Sequence, residues 1–141
     1  MKNLLFAALV LYGTAARAEV YHCPATYPDK DHPAAPLTGG RIMEGELHGH
    51  GWLMGSGDKP AKSGFDTVYG FDQGEGWLVC LYGGRERTST DTGFAGHGWW
   101  LKLGPKESLC TIQHRQSQAR PRNAWAVTAV CVDTLGPSNK R

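Results

Sequence analysis

Short runs of alternating or continuous apolar residues recur along this chain, separated by glycine or other turn-forming residues. They predict β-strands, because strands are short and turn successive side chains to opposite faces. The predicted strands are 41–50, 67–71, 76–82, 99–103, 108–113 and 124–133. At most a short helix fits residues 116–123, because Pro121 interrupts them. We therefore expect a mainly β fold, a small antiparallel sheet that is open or closed into a barrel.

Two of these runs predict the centre of the sheet. In residues 76–82 and again in residues 124–132, apolar side chains occupy both alternating sets of positions. A strand that is apolar on both faces is typically covered on both. We predict that these two strands form the core.

The N-terminus has the parts of a secretory signal peptide. A basic start at Lys2 precedes the apolar run 4–12, and Ala16-Arg17-Ala18 is a small-x-small cleavage site. The apolar run is too short to span a bilayer, and no later segment is apolar for long enough. We expect cleavage after Ala18 and a periplasmic mature chain without a transmembrane segment.

The mature chain, residues 19–141, is predicted to form a single domain that begins with an extended arm. The arm, residues 24–40, holds four of the eight prolines and shows neither helical nor alternating spacing. No linker or low-complexity tract divides the residues that follow it.

Removal of the signal peptide changes the charge of the chain. The signal contains two of the fifteen basic residues, so thirteen remain to balance the thirteen acidic ones, and the mature chain is formally neutral. Nucleic-acid binding depends on clustered Lys and Arg that neutralise phosphates. We therefore expect no nucleic-acid partner.

The chain has four cysteines, an even number that favours two disulfides in an exported protein. None belongs to a Cys-x-x-Cys pair, which argues against a thiol oxidoreductase or a zinc ribbon. Three pairings are open. We favour Cys23 with Cys80, which would fix the N-terminus, and Cys110 with Cys131, which lie on strands that could be neighbours.

Four polar side chains alternate along the first predicted strand and could bind a metal. If residues 42–50 form a straight strand, one face carries Glu44, Glu46, His48 and His50. His-x-His can chelate a metal, and a carboxylate can complete the site or act as a base. The alternative, which we favour, is the solvated face of an edge strand, and two glycines within the run would bend it.

Adjacent tryptophans offer a second candidate site. Trp99 and Trp100 must face opposite sides of a sheet if both lie on one strand. An indole outside the core could anchor a protein partner or stack on a sugar, with Arg85, Glu86 and Arg87 as charged neighbours. The alternative is that both faces are covered and both indoles belong to the core.

Recognisable catalytic motifs are missing from the sequence. It has no Gly-x-Ser-x-Gly elbow, no His-Glu-x-x-His pair and no phosphate-binding loop. Residues 56–59 match Ser-x-x-Lys in letters only, within a turn-like segment. We expect no cofactor, and the sequence favours a protein that is not an enzyme.

The segments 76–82, 101–103, 109–111 and 130–132 resemble a family of small exported bacterial proteins of unknown function. That family has Cys-Pro just after the signal, matched by Cys23-Pro24, and a Trp-x-x-Cys-x-Tyr strand, matched by Trp77, Cys80 and Tyr82. The resemblance implies a periplasmic, disulfide-bonded, β-rich protein, and it supplies no catalytic residues.

The Tyr-x-Cys start at residues 21–23 is similar to that of exported lysozyme inhibitors, which are small β-barrels, although their signature loop is not evident here. We expect a non-enzymatic periplasmic binding protein, an inhibitor or immunity factor that acts on an envelope-directed enzyme such as a hydrolase. One alternative is a carbohydrate- or peptidoglycan-binding module that uses exposed tryptophans. Another is a metal-binding protein or a metal-dependent envelope enzyme.

Overall fold

The computed structural model describes residues 17–72, 74–83, 97–116 and 125–134. These residues form eight β-strands and no helix, which confirms the predicted mainly β fold. Every predicted strand has a counterpart, although the bounds differ. The strands are β1 (Glu19–His22), β2 (Leu37–Glu44), β3 (Lys59–Ala61), β4 (Gly64–Gly70), β5 (Gly76–Tyr82), β6 (His97–Lys102), β7 (Leu109–Gln116) and β8 (Trp125–Val132).

The strands form two antiparallel sheets. The larger has the order β1-β8-β7-β4-β3, and the smaller has the order β2-β5-β6. The sequence did not predict β1 and β3, the two edge strands of the larger sheet. Both are short, and β3 contains Pro60, which an edge position tolerates because one side of the strand needs no ladder partner.

The two sheets face each other across one hydrophobic core, to which both contribute. At Gly40 on β2, a Cβ atom would lie only 2.7 Å from Cγ1 of Val127 on β8, so glycine allows the sheets to approach closely here. The buried core residues are Leu37, Ile42, Leu78, Cys80, Tyr82 and Leu103 on one side and Tyr69, Cys110, Ile112, Trp125, Val127, Ala129 and Cys131 on the other.

Both β5 and β8 are central in their sheets and contribute to the core, as predicted, but only β5 is covered on both faces. Leu78, Cys80 and Tyr82 of β5 belong to the core, while Val79 and Leu81 are buried on the opposite face. In β8, burial alternates from residue to residue along the strand, and only the odd-numbered positions are buried. Its outer face carries Ala126, Thr128, Val130 and Val132, which are apolar enough to suggest a cover but are exposed or only partly buried.

Both predicted disulfides are present. Cys110 and Cys131 are directly opposite each other on β7 and β8. Cys23 follows β1 and is bonded to Cys80 in the middle of β5, so this bridge links the N-terminal segment to the smaller sheet. Two disulfides are compatible with an oxidising, exported compartment.

The predicted arm is shorter than expected, because β2 begins at Leu37 and not near residue 41. The glycines of β2 conceal the strand in the sequence, yet Gly39 pairs with Leu81 and Gly40 with Cys80. Residues 24–36 lie outside the named strands, with a single bridge between Thr26 and Pro36.

The predicted signal peptide and the predicted short helix lie largely outside the described residues. The signal peptide lies outside the described residues except for Arg17 and Ala18, and residues 117–123 of the short helical segment lie outside them as well. Within the described part of the chain, no helix has the length and apolarity needed to cross a membrane.

One imidazole is buried between the sheets. His114 on β7 is 4% exposed, its Nε2 accepts the N–H of Gly40 at 3.3 Å, and its ring stacks on Phe65 with the centroids 4.3 Å apart. Burial lowers the pKa of His114 to about 4, because the charged imidazolium loses hydration in this position. The imidazole is therefore neutral in the folded protein at neutral pH.

His114 should make the protein sensitive to acid. Between pH 6.5 and pH 4 an unfolded histidine binds a proton that the folded protein excludes, so the free energy of unfolding falls as the pH falls. From the shift, we expect a loss of about 3 kcal/mol across this range. Urea unfolding between pH 7 and pH 5, where most carboxylates stay ionised, measures the slope.

The matched variant is His114→Gln, which keeps a polar side chain but does not titrate. Burial also raises the pKa of Glu107, but this group is present in both proteins and cancels in the comparison. We expect a flatter pH dependence in the variant. Equal slopes in the two proteins would contradict the assignment to His114.

Candidate functional site

The predicted row of carboxylates and imidazoles does not form. β2 ends at Glu44, and Gly45 then adopts a φ of 98°, a left-handed conformation that favours glycine. His48 also has a positive φ, 60°, within the turn that follows. The strand predicted to continue to His50 is therefore wrong beyond Glu44, and Glu46, His48 and His50 do not share a strand face with it.

The described residues do not gather the four side chains into a metal centre. Three ligand atoms of His, Cys, Asp or Glu lie within 4.8 Å of one another at Glu107, Cys110 and Cys131, and at no set drawn from Glu44, Glu46, His48 and His50. The two sulfurs of that trio are joined to each other in a disulfide, so they are not free thiolate ligands.

The turn after β2 has a different consequence: it brings Trp52 back beside the strand. Trp52 forms an isolated antiparallel bridge with Met43, while Glu44 N–H donates to the Gly51 carbonyl at 2.9 Å. A Cβ atom on Gly51 would collide with the Glu44 carbonyl oxygen, so glycine is needed for this approach. Trp52 therefore shares a face with Met43.

Strand register places two more indoles on the same face, the face of the smaller sheet turned away from the core. Met43 is opposite Trp77 on β5, and the neighbouring Val79 is opposite Trp100 on β6. The ring centroid of Trp100 lies 6.0 Å from that of Trp52 and 6.0 Å from that of Trp77. We call Trp52, Trp77 and Trp100 the tryptophan face.

Buried apolar residues and directed polar contacts hold the tryptophan face in place. Met43, Val79 and Leu81 form a buried cluster on which Trp77 and Trp100 pack. Nε1–H of Trp77 donates to the Gly45 carbonyl at 2.8 Å, which ties the indole to the turn. These contacts fix the orientation of the rings before any partner binds.

Three further side chains contact the rings of the tryptophan face. The Lys102 ammonium lies 4.4 Å from the centroid of Trp77, and the Arg41 guanidinium carbon lies 5.4 Å from that of Trp52. The ring of His48 meets Trp100 edge-on with centroids 5.1 Å apart. Cations at this distance are attracted by the negative face of an indole.

Apolar side chains near the tryptophan face remain open to solvent. Trp52 is 39% exposed, Leu47 in the preceding turn is 50% exposed, and Met54 is 83% exposed. The segment that carries Trp52 therefore presents an exposed apolar edge.

The predicted tryptophan pair is divided between the two faces of β6, as expected. Trp100 belongs to the tryptophan face, whereas Trp99, 37% exposed, lies on the other side with its ring 6.3 Å from that of Tyr27. Arg85 and Arg87, predicted to lie beside this pair, fall outside the described residues.

Sequence reasoning missed Trp52 and Trp77 as members of one site. They come together through the turn at Gly45 and the pairing of β2 with β5, and neither feature is visible in the pattern of a single strand.

Compared with known proteins, the chain matches no family model, no curated protein and no solved structure.

Proposed function

We propose that this chain is a non-enzymatic, exported binding protein that contacts a protein of the cell envelope through the tryptophan face. Its role would be that of an inhibitor or an immunity factor against an envelope-directed hydrolase. The observation that supports the proposal is the convergence of Trp52, Trp77 and Trp100 beside exposed apolar side chains.

The composition of this surface suits a protein interface. Tryptophan is among the residues most enriched in interface hot spots, and methionine is also enriched at interfaces. The site combines three indoles with the exposed Met54, while Arg41 contacts Trp52 from a buried position. Rings that are already packed lose little conformational entropy when a partner binds.

A protein partner fits these contacts better than a glycan does. Sugar rings stack on indole faces that are open to solvent. Here the Lys102 ammonium lies 4.4 Å from the ring centroid of Trp77, and the exposed side chains of Leu47 and Met54 form no strong hydrogen bonds with hydroxyl groups. The capture experiment below therefore also tests the carbohydrate-binding alternative.

The test is capture from an envelope extract of the producing cells on immobilised mature chain, residues 19–141. Three baits are compared: the wild type, Trp52→Ala, and Trp99→Ala as a control of similar exposure on the other face. We expect a protein that is retained by the wild type and by Trp99→Ala and lost with Trp52→Ala. Retention of glycans alone, or equal retention by all three baits, would overturn the proposal.

A further inference from the structure

A second group of rings lies away from the tryptophan face, where the arm meets β6. His32 is on the arm and His97 is the first residue of β6, yet their ring centroids are 5.1 Å apart. Tyr27 of the arm stacks on His97 with the centroids 5.1 Å apart and the planes at 26°. The fold therefore brings together two imidazoles that are distant in sequence.

The ring of His32 is held by a carboxylate. Nδ1 of His32 lies 2.8 Å from Oδ2 of Asp29, and Oδ1 of Asp29 accepts the N–H of Asp31 at 2.9 Å. A carboxylate accepts hydrogen bonds, so this contact favours the tautomer of His32 that carries its proton on Nδ1 and its lone pair on Nε2.

The spacing of the rings matches that of two ligands on one metal ion. A zinc ion about 2.0–2.1 Å from an imidazole nitrogen is about 3.2 Å from the ring centre, so two tetrahedral imidazole ligands have ring centres about 5 Å apart. The observed 5.1 Å suits such a ligand pair, and it is also an ordinary distance for two rings in edge-to-face contact, so titration with metal distinguishes the two. A carboxylate bonded to the second nitrogen of a ligating histidine is also a common feature of metal sites.

We propose that His32 and His97 bind one divalent transition-metal ion of the zinc, nickel or copper class, with water in the remaining positions and Asp29 orienting His32. This site is separate from Glu44, Glu46, His48 and His50 and does not depend on the proposed function. A metal held by both histidines fastens the arm to β6. It supplements the link that the Cys23–Cys80 disulfide makes nearby in the chain.

Isothermal titration of the metal-free mature chain with zinc chloride and with nickel chloride tests the site. We expect one ion per chain and a higher urea midpoint with metal, because a ligand that binds only the folded state stabilises it. His32→Ala, at an exposed position on the arm, and His97→Ala should each weaken binding at least tenfold. Asp29→Asn should weaken it about 10- to 100-fold while leaving the one-to-one ratio intact.

The matched control is the double variant His48→Ala/His50→Ala, which should bind metal as the wild type does. Urea midpoints measured in chelator show whether each variant still folds. The proposal is overturned if no saturable one-to-one binding occurs, or if folded His32→Ala and His97→Ala bind as well as the wild type. Loss of binding in the His48/His50 variant would move the metal to the turn after β2 and would also overturn it.

Discussion

Replacing both Cys23 and Cys80 with alanine is expected to lower the free energy of unfolding by about 4 kcal/mol, the largest stability effect that we predict for the chain. A disulfide restricts the unfolded chain more strongly when it closes a longer loop, and this bridge spans 57 residues. It also crosses from the start of the arm to Cys80, which is fully buried.

The matched comparison is the variant that lacks Cys110 and Cys131, whose bridge spans 21 residues. Its loop is shorter and its two strands are already paired, so we expect a smaller loss of about 3 kcal/mol. Urea unfolding followed by tryptophan fluorescence measures both variants. A larger loss for the Cys110/Cys131 variant would contradict the view that the Cys23–Cys80 bridge is the main restraint on the chain.

The second large effect concerns binding. Trp52→Ala should reduce the affinity for the captured partner at least 30-fold, since truncation of a hot-spot residue costs about 2 kcal/mol or more. Trp52 is 39% exposed and packs at the edge of the indole cluster, so the variant should still fold. Surface plasmon resonance measures the change, which should appear mainly as faster dissociation.

Trp99→Ala is the control for this measurement, because Trp99 has nearly the same exposure on the opposite face of β6. We expect the affinity of the Trp99→Ala variant for the partner to remain within about threefold of the wild-type affinity, because a surface residue outside the interface contributes little. The opposite pattern, a large loss at Trp99 and none at Trp52, would place the binding site beside the arm.

The strands and disulfides could be predicted because they depend on local pattern and on simple counting. Six of the eight strands correspond to short apolar or alternating runs in the sequence, and β5 was correctly predicted to lie at the centre of a sheet. The preferred cysteine pairing followed from the expected neighbour relation of β7 and β8, which the register confirms.

The candidate site could not be predicted, because it depends on non-local geometry. The Glu/His row required one straight strand from Ile42 to His50, whereas Gly45 turns the chain after Glu44. The same turn brings Trp52 next to Met43, and register then determines which indoles meet. A single sequence contains the residues of such a site but not their pairing.

The most direct test of the tryptophan face is site-specific photo-crosslinking in envelope extract. A photoreactive amino acid is placed at Met54, 83% exposed and two residues after Trp52, and in a separate protein at Val20, 51% exposed on β1 of the other sheet. We predict a protein adduct from position 54 and none from position 20. An adduct with the same protein from position 20, and none from position 54, would contradict the proposed binding face.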